Sequence, residues 1–112
     1  MHNDVIERIE REVLSWPGVS KERRHADVTV YQVGQDHLGH IHHDGVADLP
    51  LPDDLYRDLI ASGEAQPHRG GFAGVVSFHI RSKADVADAV QLFRTSYENI
   101  QGETDAAWEA GR

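Results

Sequence analysis

The stretch that decides the fold is Asp36-His37-Leu38-Gly39-His40-Ile41-His42-His43-Asp44-Gly45-Val46-Ala47-Asp48-Leu49. Asp44-Gly45 is a strong signal for a two-residue hairpin, because a type I′ turn needs positive φ at both central positions. Residues 37–43 then form one strand, and Val46 to Leu49 the strand that returns beside it. Pro50 and Pro52 end the second strand, since neither can donate to a ladder. Upstream, Val28-Thr29-Val30-Tyr31-Gln32-Val33 is rich in β-branched and aromatic residues and predicts a further strand, joined through a turn at Gly34-Gln35-Asp36.

Helical patterns flank this β-rich centre. In residues 5–16, Ile6, Ile9, Val13 and Trp16 recur at spacings of three and four, which places them on one helix face. Asp4 with Glu7 makes a capping box, Pro17-Gly18 stops the helix, and residues 19–27 read as a polar connection. After the hairpin, residues 53–62 predict a second helix with Leu55, Leu59 and Ile60 inward and Gly63 as its stop. Residues 64–74 hold three glycines and a proline and read as a loop. In the last strand, Val75 to Arg81, Val76, Phe78 and Ile80 alternate with Ser77, His79 and Arg81. Ser82 with Asp85 caps a third helix, whose stripe is Val86, Val90, Phe93, Tyr97 and Ile100. The expected order is α-β-β-β-α-β-α. It predicts a two-layer α+β domain over residues 1–100, a small antiparallel sheet with helices packed on one face, followed by a polar tail over 101–112 in which Trp108 can dock. Which sheet face is core stays open.

Charge and composition exclude several classes. The 112 residues carry 19 Asp or Glu against 11 Lys or Arg, a formal balance of −8. Such a surface repels phosphate backbones, so no nucleic-acid partner is expected, and the basic run Lys21-Glu22-Arg23-Arg24-His25 reads as a solvated loop. No apolar stretch approaches the ~20 residues needed to span a bilayer, and no membrane partner is expected. Cysteine is absent, which removes disulfides, thiol nucleophiles and thiolate metal sites and fits a cytoplasmic protein. The start, Met1-His2-Asn3-Asp4, lacks the basic and apolar regions of a secretory signal.

Histidine is the residue type that carries chemistry here. Of eight histidines, four (His37, His40, His42 and His43) lie within seven residues. His40 and His42 share a strand face, and two imidazoles at i and i+2 can bind one metal ion such as zinc, with His68 of the glycine-rich loop as a third ligand. The same pair also arises as ordinary polar residues on a solvated or ligand-facing sheet. A two-residue turn would pair His40 with Leu49 and turn Asp48 to the face of Ile41 and His43, so Asp48 stays outside the expected metal set. Ser77 and His79 at i, i+2 suggest a nucleophile with its base, but no nucleophile elbow or third orienting group accompanies them. Arg81 with His79 can hold a small anionic ligand. Gly70, Gly71 and Gly74 match no phosphate loop and read as a flexible connection.

Leu38-Gly39-His40-Ile41-His42, followed by Ala47-Asp48-Leu49-Pro50-Leu51-Pro52, resembles the signature of a small bacterial and archaeal family labelled "luciferase family protein" or luciferase domain. The similarity runs through Ala65-Gln66-Pro67-His68, Val76-Ser77-Phe78-His79-Ile80-Arg81-Ser82 and Leu92-Phe93-Arg94-Thr95-Ser96-Tyr97, about residues 5–100 in all. It implies His40, His42, Asp48, His68, Ser77 and Arg81 as the polar, ligand-binding positions. Two departures stand out: Arg69-Gly70-Gly71 after Pro67-His68, and His79 where relatives carry other residues. The family label does not imply light emission, and no flavin-binding pattern is present. The expected function is a ligand- or metal-binding module. The alternatives are a metal-dependent hydrolase or oxygen-using enzyme built on the same histidines, and a regulatory interaction domain without catalysis.

Overall fold

The structure, a computed structural model, describes residues 2–25, 27–68 and 70–110, with side chains described between residues 4 and 102 of that set. Among the described residues, three α-helices, α1 (His2–Leu14), α2 (Asp53–Ser62) and α3 (Val86–Ala110), accompany six strands: β1 (Val19–Arg24), β2 (Val28–Val33), β3 (Asp36–His42), β4 (Val46–Pro50), β5 (Gln66–Pro67) and β6 (Val75–His79). The strands form one antiparallel sheet in the order β1-β2-β3-β4-β6-β5. This is the expected α+β class with two strands more than the hydrophobic pattern predicts.

Both extra strands sit at sheet edges. β1 has the sequence Val-Ser-Lys-Glu-Arg-Arg and is exposed after its first residue. An edge strand needs backbone pairing alone, so it carries no apolar alternation, and charged side chains protect its free edge from pairing with another chain. The expected polar connection is therefore a strand, paired residue for residue with β2. β5, only two residues long, forms inside the expected loop because Gln66 and Pro67 lie against Ser77 and Val76. The first helix also begins earlier than expected. With α1 starting at His2, Asp4 lies inside the first turn, where its charge favours the helix dipole, and does not act as an N-cap.

The hairpin turn differs from expectation in a way that matters for the site. His40 pairs with Asp48 and Ile41 with Ala47, so the loop between β3 and β4 has three residues, His43-Asp44-Gly45. Only Gly45 takes positive φ (94°), and its N–H closes the turn on the His42 carbonyl at 2.9 Å. Asp44 instead accepts the Val46 N–H on its side chain at 3.2 Å. A three-residue turn with glycine in the left-handed position replaces type I′, which would need positive φ at Asp44 too. The one-residue change in register reverses the face on which Asp48 projects.

One apolar core joins the helices to a single face of the sheet. Ile9 and Val13 of α1, Leu59 of α2 and Phe93 and Tyr97 of α3 belong to the same buried cluster as Tyr31, Leu38, Ile41, Ala47, Leu49, Val76 and Phe78. Gly39 faces α3 so closely that a Cβ there would lie 2.9 Å from Phe93 Cε1. Tyr31 meets Phe93 edge-on at 5.7 Å between centroids, and its hydroxyl donates to Glu10 of α1. The expected capping box is present, with Ser82 and Asp85 opening a 3₁₀ turn (Lys83–Asp85) that leads into α3. α3 then continues to Ala110, through the stretch expected as a tail, while the Trp108 side chain lies outside the described ones. No helix among the described residues is long and apolar enough to cross a membrane.

Candidate functional site

The sheet face opposite the helices carries the histidines. Alternation sends Gly39, Ile41, Ala47 and Leu49 toward the helices, so His40, His42 and Asp48 project the other way. β4 lies between β3 and β6, and its residues Val46 to Leu49 are all buried. Asp48 therefore sits only 2% exposed in the middle of the sheet, between His40 on one side and Ser77 on the other.

The bulge in β3 adds a third histidine. Tyr31 pairs with Gly39 and Gln32 with His37, which leaves Leu38 as an extra residue. Without it, His37 and His40 would lie on opposite faces. With it, the two rings stack at 5.2 Å between centroids, and His37 Nε2 lies 3.2 Å from His40 Nδ1. Leu38 turns into the core, and its carbonyl accepts the buried Ser96 hydroxyl of α3 at 2.8 Å.

Asp48 is the hub. Its Oδ2 lies 2.9 Å from His40 Nε2, 2.8 Å from His42 Nε2 and 3.5 Å from His68 Nε2. Its Oδ1 accepts the Ser77 hydroxyl. Burial pushes the Asp48 carboxyl up, but the hydrogen bonds from His40, Ser77 and His42 outweigh it and hold the group below the usual carboxylate range. Asp48 is thus an ionised acceptor, so the Nε2 atoms of His40 and His42 carry the protons they share with it. Loss of water around His37, with repulsion from His40 and Arg24, holds that imidazole below the ordinary histidine range against the attraction of Asp48.

The structure thus brings together five of the six implied polar positions, His40, His42, Asp48, His68 and Ser77. Among the described residues, no hydrogen bond or ion pair links the Arg81 side chain to them; its backbone N–H donates to Asp85 at 2.7 Å, and the residue is exposed. The Ser77 hydroxyl is committed to Asp48, while His79 is exposed. The donor atoms of His40, His42 and Asp48 lie close enough together to hold one metal ion. His37 is the member that strand alternation misses, because only the bulge brings it to this face. A separate cleft of about 510 Å³ opens between α1 and the β1–β2–β3 end of the sheet, sharing His42 with the cluster. Its lining mixes Lys21 and Arg23 with Glu7, Glu10 and Asp27, so it presents no field of a single sign.

Fold and cluster together define a class: a small two-layer α+β domain with a histidine–aspartate cluster on the sheet face away from its helices. The model of the family described as Luciferase domain matches residues 35–96, more than half of the chain, and the protein belongs to that family. The matched span holds every residue of the cluster. No curated protein and no solved structure matches the chain.

Proposed function

We infer that this domain is a metal-binding module whose ligands are His40, His42 and Asp48, with zinc or another divalent transition metal as the ion. The observation that supports this most is the convergence of two imidazole Nε2 atoms and one buried carboxylate oxygen from neighbouring strands. The donor set suits such an ion: two histidines and one carboxylate are a recurring combination for zinc and for non-haem iron(II). Ligand bonds near 2.0–2.2 Å in a tetrahedral arrangement put donor atoms about 3.3–3.6 Å apart. The present separations of 2.9 and 2.8 Å would open by roughly 0.4–0.8 Å on taking up such an ion. Ser77 would keep its hydrogen bond to the far carboxylate oxygen, and His37 would accept from His40 Nδ1–H once Nε2 is given to the ion.

Zinc titration of the wild type against a His40→Ala/His42→Ala double variant tests this reading. Removing two of three ligands is expected to weaken binding by at least a hundredfold. Equal, negligible affinity in both proteins would refute it. The metal-dependent enzyme is a second reading, supported by one feature: three protein ligands leave coordination positions free for a further molecule. Turnover in a hydrolase or oxygenase screen that disappears in Asp48→Asn would favour it, and zinc binding without turnover would leave the binding module alone.

A further inference from the structure

His68 stands apart from the other cluster histidines in how its ring is held. The Gly70 N–H donates to His68 Nδ1 at 2.8 Å, so this nitrogen presents a lone pair and the neutral ring carries its proton on Nε2. The main chain of the residue is held as well: His68 N–H donates to the Val75 carbonyl at 3.1 Å, and the His68 carbonyl accepts from Gly71 at 3.0 Å. A Cβ at residue 70 would fall 2.9 Å from the ring's Cε1 and 3.0 Å from Nδ1, so only glycine allows this seat. Phe72 meets the ring edge-on at 5.1 Å between centroids.

The protonated Nε2 lies 3.5 Å from Asp48 Oδ2 and makes no hydrogen bond to it, unlike His40 and His42, which sit at 2.9 and 2.8 Å. A metal ligand would need that Nε2 free of its proton, which the Gly70 bond opposes. The His68 N–H thus has no hydrogen-bond acceptor within the cluster, and an ion on Asp48 Oδ2 would leave it none there. A divalent ion held by one carboxylate and neutral imidazoles also keeps a net positive charge. An incoming anion would satisfy both.

We propose that His68 is the hydrogen-bond donor for a small carboxylate-type anion seated beside the ion held by His40, His42 and Asp48, and not a fourth metal ligand. This rests on the metal-binding reading above, and the experiment separates the two. Cobalt(II) is titrated into the wild type and into His68→Phe, His68→Gln and Gly70→Ala, followed by its visible absorption. Acetate and azide are then titrated into each loaded protein. Cobalt affinity in His68→Phe is expected to stay within threefold of wild type, while both anions bind about tenfold more weakly, the size of one lost hydrogen bond. Glutamine places an amide N–H near the position of Nε2, so His68→Gln restores most of the anion affinity. Gly70→Ala displaces the ring and shifts anion affinity in the same direction as His68→Phe. Loss of cobalt itself by more than tenfold in His68→Phe would make His68 a ligand and overturn the proposal. Unchanged anion affinity alongside intact cobalt binding would overturn it as well. A wild type that binds no cobalt would instead overturn the metal reading on which it stands.

Discussion

Substituting Gly39 by alanine puts a methyl group into a space the fold has already filled. The added Cβ would lie 2.9 Å from Phe93 Cε1, 3.1 Å from the Asp48 carbonyl oxygen and 3.2 Å from Leu49 Cδ2. Phe93 and Leu49 are fully buried, so neither can swing into solvent, and the third neighbour is backbone. Overpacking of this kind costs about 1–3 kcal/mol. Alanine recovers about 0.4–1 kcal/mol by restricting the unfolded chain. The expected net loss is about 1–2 kcal/mol, or about 4–8 °C in Tm for a domain of this size. Urea unfolding in the presence of chelator measures it free of any metal contribution. The cost should shrink in a Phe93→Leu background, where the aromatic edge is gone, so the two substitutions should couple in a double-mutant cycle. A Gly39→Ala variant as stable as wild type, or a strictly additive cycle, would refute the packing account. The same displacement presses on the backbone of Asp48, so zinc affinity should fall with stability.

Three further outcomes follow from the same contacts. Ser77→Ala leaves the buried Asp48 carboxylate one donor short and should cost about 1–3 kcal/mol in chelator, with a loss under 0.5 kcal/mol contradicting the role of that hydroxyl. Asp48 has a depressed folded pKa, so its contribution to stability is present above its unfolded value near pH 4 and is lost as pH falls through the folded value. Chelated wild type should therefore lose stability on acidification below about pH 4 more steeply than Asp48→Asn, and parallel curves would remove the carboxylate from the account. Ser96→Ala strands the Leu38 carbonyl at the bulge and should cost about 1–3 kcal/mol, with broadened His37 ring resonances as the local readout. Unshifted histidine spectra would show that the bulge holds without it.

The helices and central strands were legible because their apolar residues recur with the period of the element. Leu59 of α2, and Val90, Phe93 and Tyr97 of α3, face the core as spacing alone dictates, and Ser82 with Asp85 caps the last helix as its spacing predicts. β1 was not legible, since an edge strand exposed on both faces is held by backbone pairing and carries no apolar signature. His40 and His42 could be placed on one face from their i, i+2 spacing. Asp48 could not join them by spacing, because its face depends on turn length, and Asp44-Gly45 satisfies both a two-residue turn and the last two positions of a three-residue one. The sign of a single dihedral, that of Asp44, separates the alternatives.

Two one-residue irregularities thus build the cluster. The third turn residue brings Asp48 to the face of His40 and His42, and the bulge at Leu38 brings His37 to the same side. Each breaks the regular ladder and leaves backbone groups in need of partners, and the sequence supplies those partners from elsewhere. Gly45 accepts the positive φ, Asp44 takes the Val46 N–H, and the Ser96 hydroxyl, 58 residues away in sequence, satisfies the carbonyl of Leu38. A sheet selected for stability alone would have no reason to bury a carboxylate in its central strand opposite three imidazoles, since apolar residues pack there at lower desolvation cost. The irregularities and their compensations make sense together if the face away from the helices was shaped to hold a charged guest, with Asp48 at its centre.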